Sequence, residues 1–218
     1  MEISYSHNSE TRGISEIKLY QYRLKNIRLT WCKQVLKIIS KYKIKTINDI
    51  GCNYFQLYKE IKLSKKKYDY DYHGYDHDKK FLNIGLKKFP ELMKKHTICN
   101  AEICKIRKTD CTVASAIIEH TDNPFLLIKK ILKTTKKIVI IRSSFANQAN
   151  TKLTTYNAKK KIYQNTFSFN RIKKIFNKNK FSVSYILDEA TNYSTKGKKV
   201  SPKKKMFFYI MLGIKNAK

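Results

Sequence analysis

Between residues 44 and 142 the sequence alternates short apolar runs with segments whose apolar residues recur every three or four positions. Two of the runs, CTVASAII and KIVIIR, are almost continuously apolar or small, which is typical of strands buried on both faces of a parallel sheet. The alternation predicts a parallel sheet with helices on both faces. Because the crossovers are right-handed, the loops that follow the strands share one edge, and ligands bind at that edge in open α/β sheets.

The predicted elements of this region follow one another closely. The strands are KTINDIG, YHGYD, HTICN, CTVASAII and KIVIIR. The intervening helices run from Tyr54 to about Leu63, over DKKFLNIGLKKF, and over TDNPFLLIKKILK. Asp122 is the expected N-cap of the third helix, because Pro124 falls in its first turn.

The pattern changes after Arg142. Residues 143–166 are polar and basic without a strong period, and FSFNRIKKIFNK then predicts a helix. FSVSYILDEA and MFFYIMLGI predict two strands joined by a long basic loop, TNYSTKGKKVSPKKK. Strands joined directly by a loop favour an antiparallel pair at the end of the sheet. The predicted fold is therefore a Rossmann-like, doubly wound α/β sheet that is mostly parallel.

A helix precedes this sheet. Apolar residues from Ile17 to Ile38 are spaced by three or four positions, which predicts one amphipathic helix with Ser15 as a candidate N-cap. We expect an N-terminal helical extension over residues 1–43 and one domain over residues 44–218.

The formal net charge is +31, which is typical of proteins that bind nucleic acid or anionic membranes. Only six of the 47 basic residues are Arg, the residue suited to bidentate contacts with phosphates and bases. The chain is also rich in Ile and Asn, and the codons for Lys, Ile and Asn are AT-rich. Two explanations stay open: a compositional bias of the genome, and a surface that binds polyanions.

Cysteines and apolar runs exclude other classes. The five Cys form no C-x-x-C pair and no His lies at zinc-finger spacing, so we predict reduced, partly buried thiols and no metal site. The longest apolar run, MFFYIMLGI, is too short to span a bilayer, and the polar start has no signal-peptide core. We expect a cytosolic protein without a membrane span.

Polar residues follow each of the first four predicted strands, where a ligand would bind. Asp76 ends the second strand, at the position where a carboxylate accepts hydrogen bonds from ribose hydroxyls. It lies 25 residues after Gly51, near the ~20 typical of dinucleotide-binding units. Asn53 and Phe55 stand where a pyrophosphate-binding loop has glycines, and the carboxylate of Asp49 would repel a pyrophosphate. A nucleoside that carries a sulfonium and an amino acid, S-adenosylmethionine, satisfies these constraints.

The segments INDIGCN, HGYDHD, NAEI and DCTVASAIIEHTDNP resemble successive motifs of class I S-adenosylmethionine-dependent methyltransferases of the small bacterial type. The resemblance covers residues 44–142 well and the remainder by the order of its elements. It implies seven strands with the last antiparallel, a cofactor half over residues 44–142 and an acceptor-side half over residues 143–218. It also implies methyltransferase activity.

The resemblance assigns roles residue by residue. The methionine end of the cofactor is lined by Asp49, Gly51, Cys52 and Asn53; Asp76 holds the ribose and His77 flanks the adenine; Ala101 and Glu102 lie on the adenine side; Ser115 lies near the loop after the fourth strand; Glu119 and His120 face the methyl group and the acceptor.

Plainer roles compete with several of these assignments. Asp76 could cap the following helix, with Asp78 as its competitor. Glu102 could be a surface acid, His120 a solvent-exposed or capping side chain, and Asn53 a turn residue. Phe55 stands in the third glycine slot, where it either crowds the loop or packs beneath it.

The mechanism that we predict is an in-line methyl transfer to an oxygen or nitrogen acceptor. His120 is the candidate general base because histidines titrate near neutrality, and Glu119 orients it or acts itself. The expected acceptor is a glycan precursor or a small metabolite. RNA is the alternative acceptor, and it is disfavoured by the low Arg content and by the lack of a recognisable RNA-binding module. Two further alternatives are a nicotinamide-dependent oxidoreductase, which lacks its G-x-G-x-x-G motif here, and a non-catalytic basic protein that binds nucleic acid.

Overall fold

The computed structural model describes residues 14–64, 69–156, 160–188, 198–201, 204–206 and 208–216. Its helices are α1 Ile14–Asn26, α2 Thr30–Ile39, α3 Gln56–Leu63, α4 Lys79–Lys88, α5 Pro124–Thr134 and α6 Phe169–Lys178. Its strands are β1 Thr46–Ile50, β2 Asp71–Asp76, β3 His96–Ile98, β4 Thr109–Ser115, β5 Thr135–Ala146, β6 Asn150–Tyr156, β7 Lys160–Ser168, β8 Phe181–Leu187, β9 Lys198–Ser201, β10 Lys204–Met206 and β11 Phe208–Lys215.

The main sheet contains nine of the described strands, of which seven follow one path in the order β3-β2-β1-β4-β5-β11-β8, and β6 and β7 join it through the pairing of β7 with β5. The pairs that join β1 to β2 and β4, β2 to β3, and β4 to β5 are parallel. β11 runs antiparallel to both of its neighbours, β5 and β8. The structure therefore confirms the Rossmann-like, doubly wound sheet with an antiparallel last strand.

The sheet is buried between two layers of helices. On one face, α2, α3 and α4 contribute to a core that includes Val35, Leu57, Phe81, Ile47 and Ile140. On the other face, α5 and α6 contribute to a second core with Leu127, Ile131, Phe176, Ala114 and Met211. Neighbouring residues of β1, β4 and β5 belong to opposite cores, as expected for strands covered on both sides.

The N-terminal region forms two helices, so the single helix predicted from Ile17 to Ile38 is wrong. The chain leaves helical geometry between Asn26 and Thr30, and Ser15 lies inside α1. The ammonium of Lys59 donates to the carbonyls of Arg23 and Ile27, and that of Lys88 donates to the carbonyl of Leu24. The carbonyl of Arg23 also accepts from the backbone N–H of Ile27, and the two lysines thus supply further donors to carbonyl groups at the end of α1.

The region after Arg142 contains more strand than the sequence indicated. β5 continues to Ala146, and β6 and β7 form an antiparallel hairpin over part of residues 143–166. β7 also pairs with the end of β5 through Phe145 and Phe167. Thr and Tyr are common in strands, and their recurrence in this segment was the sequence feature that could have predicted β6 and β7. Part of the predicted long basic loop forms strands β9 and β10, which pair antiparallel, and residues 191–197 and 202–203 of it lie outside the described chain.

Two smaller predictions also require correction. The N-cap of α5 is Asn123, whose side chain accepts from the backbone N–H of Leu126, and Asp122 lies one residue before it. Cys99 and Cys104 form a disulfide, whereas Cys32, Cys52 and Cys111 are buried thiols as predicted.

The described part of the chain has neither a membrane-spanning helix nor a cluster of metal-binding side chains. None of its helices is both long and apolar enough to cross a bilayer. The same residues contain no group of three or more His, Cys, Asp or Glu side chains arranged to hold a metal ion.

Candidate active site

The carboxyl ends of β1, β2, β3 and β4 lie side by side. Ile50 at the end of β1 pairs with Tyr75 on one side and Ala114 on the other. Asp76 pairs with Ile98, and Ser115 pairs with Arg142. The loops that carry the predicted site residues therefore leave the sheet along one edge, which we call the carboxyl edge.

The loop from Gly51 to Phe55 is tied to the end of β2. The backbone N–H groups of Gly51 and Cys52 both donate to the carbonyl of Tyr75, at 2.8 and 3.1 Å. The backbone N–H of Asn53 donates to Asp76 Oδ2 at 2.8 Å. Gly51 and Asn53 have φ values of 72° and 51°, the left-handed conformation that Gly and Asn adopt more readily than other residues. The structure thus places Gly51, Cys52 and Asn53 against Asp76.

Asp76 accepts one backbone hydrogen bond on each carboxylate oxygen. Its Oδ2 binds Asn53, and its Oδ1 accepts from the N–H of Asp78 at 2.9 Å. Burial raises the pKa of Asp76, while the hydrogen bond from Asp78 and the nearby His77 oppose that shift. The helix cap belongs to Asp78, whose Oδ1 accepts from Lys80 and Phe81. Because each carboxylate oxygen has two lone pairs, both oxygens of Asp76 can still accept from a ligand.

Asp49 lies beneath this loop on β1, and 3% of its surface is exposed. The hydroxyl of Tyr72 donates to Asp49 Oδ2 at 2.7 Å. Burial raises the pKa of Asp49 to about 7; the hydrogen bond from Tyr72 lowers it, and the charge of Asp76 raises it further. A cation bound near Asp49 would favour its charged form.

Phe55 packs beneath the loop and is fully buried. Its ring occupies space that two glycines leave open: a Cβ at Gly74 would lie 2.9 Å from Phe55 Cε1, and one at Gly85 would lie 2.5 Å from Phe55 Cδ2. Edge contacts with Tyr72 and His96 complete its surroundings. Phe55 therefore does not crowd the carboxyl edge. The side chain of Cys52 also lies on this lower side, because a Cβ at Gly74 would lie 2.7 Å from its Sγ.

The loop after β3 is held from within the protein. Glu102 is buried, and its Oε1 accepts from the backbone N–H of Asn123 at 2.6 Å. The ammonium of Lys130 donates to the carbonyls of Ala101, Glu102 and Cys104. Glu102 is therefore not the surface acid considered above. It joins the loop after β3 to the N-terminus of α5, and Ala101 is buried beside it.

Glu119 and His120 lie in a short 3₁₀ turn, Ile118–His120, after β4. Glu119 is buried, and its Oε2 accepts from the hydroxyl of Ser143 on β5 at 2.7 Å. Its second oxygen, Oε1, has no hydrogen-bond partner among the residues that the structure describes. His120 is half-buried, and its backbone N–H donates to the carbonyl of Ile117.

A buried ion pair lies beside Ser115, on the face of the sheet opposite to the contact between Glu119 and Ser143. The guanidinium of Arg142 contacts Asp188 Oδ2 at 2.8 Å and donates to Ser115 Oγ at 3.4 Å. The rings of Trp31 and Phe208 lie 5.5 and 5.3 Å from the same guanidinium. Arg142 is thus bound by Asp188.

Several contacting residues were not among those predicted from the sequence. Tyr72 and Ser143 each donate to a predicted acidic residue, and Asp188 pairs with Arg142. Their strands were predicted, but these contacts depend on strand register and on which residues face each other, which periodicity alone does not specify. Asp188 directly follows β8, and an acid after a predicted strand was the sequence feature that could have indicated it.

Comparisons with known proteins identify the fold. No protein-family model and no curated protein sequence matches the chain. Among solved structures, magnesium protoporphyrin IX methyltransferase of Synechocystis PCC 6803 with bound S-adenosylmethionine matches with a TM-score of 0.58 and 13% identity, over 93% of this chain and 83% of that one. A methyltransferase from Clostridium acetobutylicum ATCC 824 matches with a TM-score of 0.61 and 10% identity, over 94% and 100%.

A third structure is phosphoethanolamine N-methyltransferase 2 of Haemonchus contortus, in complex with phosphomonomethylethanolamine and S-adenosylhomocysteine. It matches with a TM-score of 0.64 and 14% identity, over 93% of this chain and 58% of that one. At these identities the likeness establishes architecture. The chain has the Rossmann-like fold of class I S-adenosylmethionine-dependent methyltransferases.

Proposed function

We propose that this chain is an S-adenosylmethionine-dependent methyltransferase that transfers a methyl group to an oxygen or nitrogen acceptor. The observation that carries the proposal is the carboxylate of Asp76, which ends β2 and is oriented by the backbone N–H groups of Asn53 and Asp78. A carboxylate at this position suits the two hydroxyls of a ribose. The shared fold with methyltransferases that bind this cofactor supports the same assignment.

The residues of the carboxyl edge fit the cofactor chemically. Asn53 Oδ1 and Glu119 Oε1 are buried and have no hydrogen-bond partner among the described residues. A buried acceptor without a partner costs about 1–3 kcal/mol, so these atoms favour a ligand that brings donors. Asp49, Gly51, Cys52 and Asn53 would hold the methionine end, Asp76 and His77 the nucleoside, and Ala101 and Glu102 the adenine side, while Ser115 would contact the cofactor from near the loop after β4. When bound, the cofactor supplies an electrophilic methyl group on a sulfonium.

A thermal-shift measurement tests the proposal. S-adenosylmethionine at 100 times its dissociation constant should stabilise the protein by about 2.7 kcal/mol. NADH is the control, because a shift with NADH alone would favour the oxidoreductase alternative. The absence of a shift with either compound would favour a protein that binds neither and would overturn the proposal.

We further propose that an imidazole nitrogen of His120 takes up the proton that the acceptor loses. Glu119, which accepts a hydrogen bond from Ser143, orients the acceptor or His120. General bases contribute about 10²–10⁴-fold to a rate. His120→Ala should therefore lower turnover on that scale and leave cofactor affinity near normal, as measured by isothermal titration. An equal loss of cofactor binding would contradict the role. The Ser143→Ala variant serves as comparison, since it removes only the hydroxyl that holds Glu119.

The acceptor that we propose is a small metabolite or a glycan precursor. Two of the similar structures are named for small acceptors, a magnesium porphyrin and phosphoethanolamine, which supports this size class. We also propose the division into an N-terminal extension over residues 1–43, a cofactor half over residues 44–142 and an acceptor-side half over residues 143–218. RNA as acceptor is the alternative, and transfer of labelled methyl groups to total RNA would reveal it.

A further inference from the structure

Most of the acidic side chains that the structure describes are buried, whereas most of its lysines are exposed. Acidic residues are normally exposed, yet among the acidic side chains that the structure describes, eight are buried and four are exposed. The exposed ones are Asp69, Asp71, Glu91 and Asp122, and the buried ones are Asp49, Glu60, Asp76, Asp78, Glu102, Asp110, Glu119 and Asp188. A bias toward AT-rich codons changes how many lysines a chain contains, but it does not act on which side chains are buried. The surface is therefore more cationic than composition alone requires.

Exposed lysines converge on the amino edge of the sheet, opposite the carboxyl edge. Each lies within five residues of the start of β1, β4, β5 or β8, and these strands begin along one edge because they are parallel to one another. We call this set the basic edge: it comprises Lys41, Lys43, Lys45, Lys108, Lys133, Lys136, Lys137, Lys178 and Lys180.

Strand pairing makes the basic edge a continuous row. β1 lies beside β4, β4 beside β5, and β11 lies between β5 and β8. The ammonium of Lys137 donates to the carbonyl of Lys43, which shows that the starts of β5 and β1 approach each other. With neighbouring strands about 4.8 Å apart, the row is roughly 19 Å long. A DNA duplex carries one charge per ~1.7 Å when both strands are counted, so a segment of this length carries about eleven phosphate charges around its circumference.

Few acids offset the row. Asp110 is buried there, where it accepts from the backbone N–H of Lys45 and pairs with Lys137 at 3.5 Å. The exposed acids Asp69 and Asp71 lie by β2, beyond the end of the row, and Asp71 pairs with Arg107 at 2.7 Å. Within the described chain, none of the large apolar side chains that are exposed lies in the segments of the basic edge. Proteins that insert into membrane surfaces use such apolar side chains, so the row favours a water-soluble polyanion.

We propose that the basic edge docks the phosphodiester backbone of a nucleic acid. Lysine ammonium groups act as point charges, so the contacts would be with phosphates and independent of sequence. The five-residue strand β1 separates the two edges by roughly 16 Å. The phosphates bound at the basic edge therefore lie away from the carboxyl edge, and this inference stands apart from the proposed function.

The test compares two triple variants with equal loss of charge. Lys43→Gln, Lys108→Gln and Lys136→Gln remove lysines from three adjacent strands of the basic edge. Lys33→Gln, Lys129→Gln and Lys173→Gln remove equally exposed lysines from helices α2, α5 and α6. Fluorescence anisotropy with a labelled 20-base-pair DNA duplex and a 20-nucleotide RNA, at several salt concentrations, measures binding. The two probes distinguish duplex DNA from single-stranded RNA as the preferred source of the backbone.

At 0.1 M salt the edge variant should bind at least about tenfold more weakly. The slope of log K against log salt should become shallower by about 2.7 for the duplex or about 2.1 for single strands, since each lost phosphate contact removes about 0.9 or 0.7 from its magnitude. The helix variant should change the slope by less than about 1. Equal losses in both variants, or no binding by the wild type, would overturn the proposal. The proposal would also be overturned if sedimentation with phosphatidylserine vesicles depended on the edge lysines while nucleic-acid binding did not. Unchanged melting temperatures in both variants establish that the comparison is between folded proteins.

Discussion

The loop from Gly51 to Phe55 has an upper side and a lower side that differ in chemistry. On the upper side, the backbone N–H of Asn53 donates to Asp76 at the carboxyl edge. On the lower side, the ring of Phe55 fills a space between Gly74 and Gly85. A pyrophosphate-binding loop keeps glycines in its later positions so that the backbone can approach phosphates and a helix. Here the third position anchors the loop to the core, while polar contacts to a ligand remain possible above it.

The largest expected effect concerns the lower side. Phe55→Ala removes a fully buried ring, and such truncations cost about 3–5 kcal/mol of unfolding free energy. Urea denaturation measures this loss, and Phe55→Leu is the milder variant for which a smaller loss is expected. Because the ring faces away from the carboxyl edge, the folded fraction should keep its affinity for S-adenosylmethionine within about twofold. A large change in affinity with little change in stability would reverse the assignment of the two sides.

This division was only partly predictable from the sequence. Asp76 could be identified because a strand ending in a carboxylate, 25 residues after Gly51, is a local pattern. The location of Phe55 could not, because it depends on glycines in β2 and α4 that reach it only in the folded chain. The same holds for Asp49 and Tyr72, whose contact requires the register that pairs Asp49 with Gly74.

The N-terminal helices illustrate a second limit. Apolar periodicity continues across the break between α1 and α2, so it predicts one helix where there are two. The carbonyls near the break are bound by Lys59 and Lys88, which belong to α3 and α4. Those partners are distant in sequence, and a local pattern cannot reveal them. The parallel direction of the central strands was predictable, because the alternation of strands and helices with right-handed crossovers produces it.

A smaller effect, this time on binding, is expected on the upper side. Asp76→Asn replaces one carboxylate oxygen by an amide NH₂ and removes the charge, so a ribose hydroxyl loses its acceptor. A hydrogen bond to a charged group contributes about 1.5–3 kcal/mol, which corresponds to a loss of affinity for S-adenosylmethionine of about tenfold to 150-fold. Isothermal titration measures this change.

Asp78→Asn is the matched control for Asp76→Asn, because Asp78 lies two residues away and caps α4. Its substitution should lower stability by no more than about 1 kcal/mol, since Asn also caps helices well. Cofactor affinity should stay near that of the wild type. Equal losses of affinity in the two variants would mean that Asp76 acts through the loop and not on the ligand.

The smallest effect concerns Asp49, which lies beneath the loop on β1. Its folded-state pKa of about 7 exceeds the ordinary value of 3.8, so the folded protein binds this proton more tightly than the unfolded chain. The resulting stability is complete below about pH 4 and is lost as the pH rises through about 7. Between pH 6 and pH 8 the wild type should therefore lose about 1.4 kcal/mol relative to Asp49→Asn, measured by urea denaturation at each pH. Tyr72→Phe removes the hydrogen bond that lowers this pKa, so it should move the loss to higher pH. Parallel profiles for the wild type and Asp49→Asn would show that Asp49 is already ionised throughout this range, and the buried carboxylate would then need a charged partner.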